Sequence, residues 1–298
     1  MNIQTAEVGV SERHSKVVHY LALTKPRITV LVLVTALVGF YMGANEGLDW
    51  TLLLHAAIGT GLVAGGASAL NQYLERHHDA RMIRTKDRPL PSKKILENEA
   101  LLFAVAISII GIAYLFVLTT TITGGLAALT LLLYAFVYTP LKTRTTFATL
   151  VGAVPGAAPP VLGWTAAGGG VDAMLWAFFA ILFFWQMPHF LAIAWIYNDD
   201  YIRGGFPKLS IKKTGELSSS RQIIFYCSLL VPVSILPTTL GVTGTLYLVA
   251  GLLLSFTYLG YGAALARYRS QSAARRLLRF SVLYLPALLL LMMVDKVV

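Results

Sequence analysis

Asn71-Gln-Tyr-Leu-Glu75-Arg-His-His-Asp79-Ala-Arg-Met-Ile-Arg84-Thr-Lys-Asp-Arg88-Pro89 stands between two apolar runs, and the rest of the chain is read outward from it. An amide and two carboxylates recur at every fourth residue, and a cationic cluster follows directly. If the preceding apolar helix continues through Asp79, then Asn71, Glu75 and Asp79 share one face, drifting by about 40° per step. Oxygen donors of this kind, with no Cys or His set beside them, suit a hard cation such as Mg²⁺. Such an ion is held by one or two carboxylates together with waters and phosphate oxygens. Arg84 and Arg88 carry guanidinium forks that match phosphate oxygens in pairs. An isolated run of this type is more often a solvated helix end. With the arginines behind it, it points to a metal-bound polyanion held at a membrane surface.

The membrane is drawn by the remainder of the sequence. The chain is 56% hydrophobic and only 13% charged, with a mean hydropathy of +0.68, which excludes an ordinary soluble domain. Apolar runs long enough to cross a bilayer are expected at about 27–44, 51–70, 101–119, 122–139, 147–166, 173–196, 222–240, 244–265 and 278–294. They predict an all-α membrane protein of nine transmembrane helices, a domain over 27–298 behind a polar segment at 1–26. Of the 24 Lys and Arg residues, all but Lys296 fall in or beside alternate connections. The positive-inside rule then puts the N-terminus in the cytoplasm and the C-terminus outside. A formal charge of +10 therefore reports basic loops, anionic headgroups and an anionic substrate, and no nucleic acid is expected. Cys227 is alone, so neither a disulfide framework nor a cysteine metal site is expected. The polar start and the lack of a small-residue cleavage site predict no cleavable signal.

Two further loops lie on the same side. Tyr138-Thr-Pro-Leu-Lys142-Thr-Arg144 brings Tyr138 and Lys142 one turn apart if the helix survives Pro140. Lys142 and Arg144 are read either as a grip on a departing diphosphate or simply as topology signals. The third loop carries Asn198-Asp199-Asp200-Tyr-Ile-Arg203-Gly-Gly-Phe-Pro207. Asp199 and Asp200 are candidate ligands of a second metal ion, and Arg203 and Lys208 are candidate phosphate contacts. His189, inside the sixth span, is a costly ionisable group in lipid, with a packing histidine as the alternative. It lies eleven residues before Asp200, close to three helical turns, which would let both face one cavity. His77 and His78 read as surface neighbours of the acidic motif. Thr24-Lys25-Pro26-Arg27 reads as a helix start. Ala57, Gly61, Gly65 and Ala69 form a small-residue stripe that admits a neighbouring helix. Pro155, Pro159 and Pro160 must interrupt the fifth span. Polar loops after spans two, four and six hint at a repeat of four helices.

At these residues the chain resembles the UbiA-type intramembrane prenyltransferases, and within them the branch that farnesylates protohaem IX. The resemblance covers about residues 20 to 295. It is carried by Leu23-Thr24-Lys25-Pro26-Arg27, by Asn71 to Asp79 with Met82-Ile-Arg84-Thr85 and Arg88-Pro89, and by Tyr138-Thr-Pro-Leu-Lys142. Trp185-Gln-Met-Pro-His189-Phe with Asp200-Tyr and Gly204-Gly-Phe-Pro207 carries the branch, as does Arg279-Phe-Ser-Val-Leu-Tyr284-Leu-Pro286. The superfamily's second motif usually spaces its carboxylates as DxxxD, whereas Ile196 stands four residues before Asp200. The resemblance implies a nine-helix bundle around a central cavity capped by cytoplasmic loops, and the lack of a targeting peptide leads to the expectation of a bacterial inner membrane. It implies farnesyl diphosphate as donor, haem B as acceptor and Mg²⁺ as cofactor, with a later haem-modifying enzyme as a further partner. It assigns Asn71, Glu75 and Asp79, with Asp199 or Asp200, to the metal. Tyr138 and Lys142 then act at the reacting diphosphate, Arg84, Arg88, Arg144 and Arg203 bind it, and His189 meets the haem. The rivals are a related enzyme acting on an aromatic acceptor such as 4-hydroxybenzoate, and a secondary transporter. A transporter would place ionisable groups near the midplane of several helices. Here they gather at one face.

Overall fold

The computed structural model describes residues 16–44, 47–206 and 215–297. Pro207 and Lys208 lie outside them. The helices are α1 (Pro26–Gly43), α2 (Trp50–Asp79), α3 (Glu97–Leu118), α4 (Thr121–Leu141), α5 (Ala148–Gly156), α6 (Ala158–Ala166), α7 (Ala173–Ile196), α8 (Asn198–Arg203), α9 (Glu216–Thr239), α10 (Thr245–Tyr268) and α11 (Gln271–Val294). Eight of these are long and apolar enough to cross a membrane. The ninth expected span, 147–166, is present as two nine-residue helices, α5 and α6, that meet at Ala157. Among the described residues no strand forms beyond an isolated bridge between Thr243 and Lys296. Large aliphatic side chains face outward, Val117 at 77% exposure and Leu102 at 72%, as lipid contact requires of an integral membrane protein.

The break in the fifth span follows from proline chemistry. Pro155, Pro159 and Pro160 supply no N–H, so the hydrogen-bond ladder cannot run through them. In lipid the exposed backbone needs partners from the protein. Gln186 of α7 braces the break, its Nε2 donating at 2.8 Å to the Ala153 carbonyl, which also accepts from Ala157 N–H at 3.0 Å. α1 crosses α6 at Gly39 and Gly163, where an added Cβ would overlap the backbone of Pro160 and Ala36. The small-residue stripe does meet a neighbour, with Gly61 against Leu33 and Gly65 against Thr24. The tightest approach of α2 lies off the stripe, at Gly66, where a Cβ would collide with Ser108 of α3.

Packing gathers around two main apolar clusters. One joins α2, α3 and α4 with Leu23; the other joins α6, α7, α9, α10 and α11. Leu126 touches both. Residues 16–23, within the expected N-terminal segment, are helical, and Leu23 is fully buried. Gln72 fixes this segment by donating to the carbonyls of Ala22 and Leu23 at 3.1 and 2.9 Å.

The loops on the face away from the basic clusters are built for helix ends. Asp49 accepts from the N–H groups of Thr51 and Leu52, both at 2.9 Å, and so caps α2. Asp172 caps α7 through Leu175 N–H at 3.0 Å. Lys296, the lone base on that face, donates to the Tyr41 and Ala44 carbonyls at 3.0 and 2.7 Å. Those acceptors belong to the last turn of α1, whose carbonyls have no partner within the helix.

Candidate active site

α2 has 30 residues, a rise of about 45 Å, against about 30 Å for a hydrocarbon core. Its last turns therefore stand beyond the lipid, and they carry Asn71, Glu75 and Asp79. The helix does continue through Asp79, and all three side chains line one cavity of about 530 Å³. Arg84 and Arg88 reach it from the following loop, Tyr138 and Lys142 from the end of α4, and Lys25 from the start of α1. Ile28, Leu150, Met187, Leu191 and Ala194 make its apolar wall.

The polar groups are tightly interlocked. Lys142 Nζ lies 2.7 Å from Glu75 Oε1, and Arg88 Nη1 lies 2.6 Å from Asp79 Oδ2. Lys25 Nζ donates to Asn71 Oδ1 at 2.8 Å. Asp79 Oδ1 is buried without a hydrogen-bond partner. Arg84 rests its guanidinium on the Tyr197 ring, 5.1 Å from the centroid. Two carboxylates thus face four basic side chains in one cavity, which suits a polyanion.

Burial, reinforced by Arg88 and Lys142, lowers the Lys25 ammonium to about 7. Lys142 goes the other way. Burial works against its charge, but Tyr138 and Glu75 outweigh that and hold it well above the ordinary lysine value.

The meeting of Tyr138 with Lys142 depends on a widened turn. Residues Leu133–Tyr138 form a π-helical stretch, after which the helix continues through Pro140. The Thr139 hydroxyl donates to the Tyr134 carbonyl at 2.8 Å. Lys142 Nζ then sits 4.5 Å from the Tyr138 ring centroid. Such bulges recur where a side chain must be re-aimed at a functional site.

Arg144, His189, Asp199, Asp200 and Arg203 are not in the cavity wall. Arg144 is exposed in the loop after α4. His189 Nδ1 is 2.7 Å from Ser281 Oγ, and its ring stacks on Trp185 at 5.2 Å. The helical count from His189 to Asp200 fails because α7 stops at Ile196 and α8 starts anew. Asp200 Oδ1 accepts from Arg203 Nη2 at 2.6 Å and from Ile83 N–H at 3.2 Å. Burial alone would raise its carboxyl, but these donors bring it below the usual carboxylate value. Asp199 accepts from the Asn198 side chain at 2.9 Å. His78, read as a surface neighbour, instead bonds the Gly204 carbonyl at 2.7 Å and ties α2 to the α8 loop. Sequence reasoning missed Lys25, Tyr134, Tyr201 and Gln222 as cavity residues. A lysine at the very edge of an apolar run was the signal for the first, and the one-turn spacing from Tyr138 for the second.

Asn71, Glu75 and Asp79 fit a divalent ion. Among the described residues no cluster of three His, Cys, Asp or Glu exists. A hard cation shared with phosphate oxygens needs only one or two carboxylates, and the unpartnered, buried Asp79 Oδ1 is a ready donor.

A helical membrane bundle with this cavity at one face is the architecture of an intramembrane prenyltransferase. The chain belongs to the UbiA prenyltransferase family, whose model matches residues 32–284. It is 46% identical over 286 residues to a protein of Solibacter usitatus named protoheme IX farnesyltransferase, covering 93% of this chain and 98% of that one. A solved structure described as digeranylgeranylglyceryl phosphate synthase superposes with a TM-score of 0.79 at 19% identity, covering 94% and 98% of the two chains. A UbiA homologue from Archaeoglobus fulgidus, bound to DMAPP and Mg²⁺, gives 0.68 at 15% identity, covering 92% and 99%.

Proposed function

We propose that this enzyme transfers the farnesyl group of farnesyl diphosphate to a vinyl group of protohaem IX (haem B), giving haem O and diphosphate. The observation that carries the reading is the cavity itself, where the acids of α2 and four basic side chains face one another above an apolar wall. A relative of the stated identity and name supplies the acceptor.

Asn71, Glu75 and Asp79 would hold Mg²⁺, which would supply positive charge to offset the charge growing on the leaving diphosphate. Arg84, Arg88 and Lys142 hold that diphosphate by charge-assisted hydrogen bonds, and Tyr138 orients it beside Lys142. The bond between farnesyl C1 and oxygen breaks, and its electron pair leaves with the diphosphate. Ile28, Leu150 and Leu191 keep water from the allylic cation. The vinyl π electrons form the new carbon–carbon bond to C1. Water captures the resulting cation beside the pyrrole and loses a proton, leaving a hydroxyethylfarnesyl side chain. His189 would meet the haem, whereas Asp199, Asp200, Arg144 and Arg203, which lie outside the cavity wall, take no part in these steps. The basic face is cytoplasmic, as the excess of Lys and Arg on that side supports, and the membrane is a bacterial inner membrane, in keeping with the bacterial source of the relative.

Expression in a host lacking its own synthase tests this. Haem O detected by mass spectrometry is the expected result, and its loss in EDTA is expected for the metal. Prenylation of 4-hydroxybenzoate with no haem O would overturn the reading.

A further inference from the structure

The first turns of α11 carry Arg275, Arg276 and Arg279, which with Gln271 and Ser272 line a groove of about 410 Å³. None of these residues belongs to the reaction cavity. The spacing i, i+1, i+4 keeps the three guanidiniums within about 100° of one another around the helix. All three are exposed, and none makes an ion pair among the described residues. Arg275 has only a long contact to Gln271, at 3.5 Å.

The same outward face continues down the helix as Val282, Leu283 and Leu290, each more than half exposed. Ala273, Ala274, Leu277 and Ser281 point the other way, into the bundle. A topology signal requires basic residues near one face and nothing about their grouping. Here three unpaired guanidiniums converge on one groove that runs straight into a lipid-facing aliphatic stripe. The ligand matching both halves has an anionic, multiply accepting head and apolar chains.

We propose that this groove binds the headgroup of an anionic membrane phospholipid, whose acyl chains lie along Val282, Leu283 and Leu290. Guanidiniums pair with the phosphate oxygens, and Ser272 and Gln271 can bond headgroup hydroxyls. The site is independent of the prenyl-transfer chemistry.

Native mass spectrometry of the purified full chain, titrated with dioleoyl-phosphatidylglycerol or dioleoyl-phosphatidylcholine, tests it. The wild-type protein should retain the glycerol lipid with at least a tenfold preference. Each arginine near the surface is worth roughly a fivefold change in affinity, so R275Q/R276Q/R279Q should lose on the order of 100-fold. R267Q/R269Q removes bases from the same face outside the groove and should keep the preference. Equal binding of both lipids, or equal loss in both variants, would overturn the proposal, the second by showing that only net charge matters. Displacement of phosphatidylglycerol by equimolar farnesyl diphosphate would assign the groove to substrate instead. Unchanged thermal stability of the triple variant separates lost binding from lost folding.

Discussion

The Lys25 backbone sits in the left-handed region, with φ 49° and ψ 63°, a conformation that costs a non-glycine residue about 1–2 kcal/mol. The bond from its Nζ to Asn71 Oδ1 helps hold it there, against the extended conformation that Pro26 favours for the residue before it. Strain kept at a cavity wall is a mark of function. Lys25→Gln removes the amine, about half of it charged near neutral pH, and weakens the hold on Asn71 Oδ1. A hydrogen bond contributes about 0.5–1.5 kcal/mol, so loss of the positioned Asn71 should raise KM for farnesyl diphosphate by roughly 2- to 10-fold in a steady-state assay. An unchanged KM would leave Lys25 as a purely structural helix start. Asp79 would act differently, because its unpartnered Oδ1 would help hold the Mg²⁺ that offsets the charge growing on the leaving diphosphate. Asp79→Asn should lower kcat on the order of 10²–10³-fold while protein level and haem retention stay near normal. Full activity in that variant would remove the metal role.

Two elements beside the cavity grip each other. The loop after α2 offers Ile83 N–H and Met82, and α8 with its following turn offers Asp200 and Gly204, the latter packed against Met82. The Asp200 carboxyl lies below its ordinary value in the folded protein, through its bonds to Arg203 and Ile83. Its contribution is therefore complete above the ordinary carboxylate value and is lost as pH falls through the lowered one. Hydrogen exchange at Ile83, corrected for intrinsic rate, should stay slow near neutrality and speed up at acid pH. Asp200→Ala should show fast exchange at every pH, and slow exchange in that variant would sink the clasp. The α1–α6 crossing makes a separate prediction. A methyl group on Gly163 has the Ala36 carbonyl in its way, and overpacking of this kind costs about 1–3 kcal/mol. Gly163→Ala should lower the melting temperature in detergent, whereas Gly125→Ala, whose Cβ meets nothing within 4 Å, should not.

For the whole molecule, periodicity and charge alternation made the spans legible, because lipid allows few ways to satisfy a backbone. The face shared by Asn71, Glu75 and Asp79 was legible too, since it lies on one continuous helix. Cavity membership of Lys25 and Tyr134 was not, because it depends on how distant helices meet. The place of His189 was hidden for the same reason: its partner, Ser281, is 92 residues away. The orientation rests on charge alone and calls for a direct measurement. Cys227 is the chain's single cysteine and is fully buried, so a Cys227→Ser background leaves no competing thiol. In it, Lys94→Cys on the basic face and Val171→Cys on the opposite face are both at exposed positions. An impermeant maleimide added to intact cells should label Val171→Cys and spare Lys94→Cys, and inside-out vesicles should give the reverse. The opposite pattern would turn the protein over and put the cavity on the outer side of the membrane.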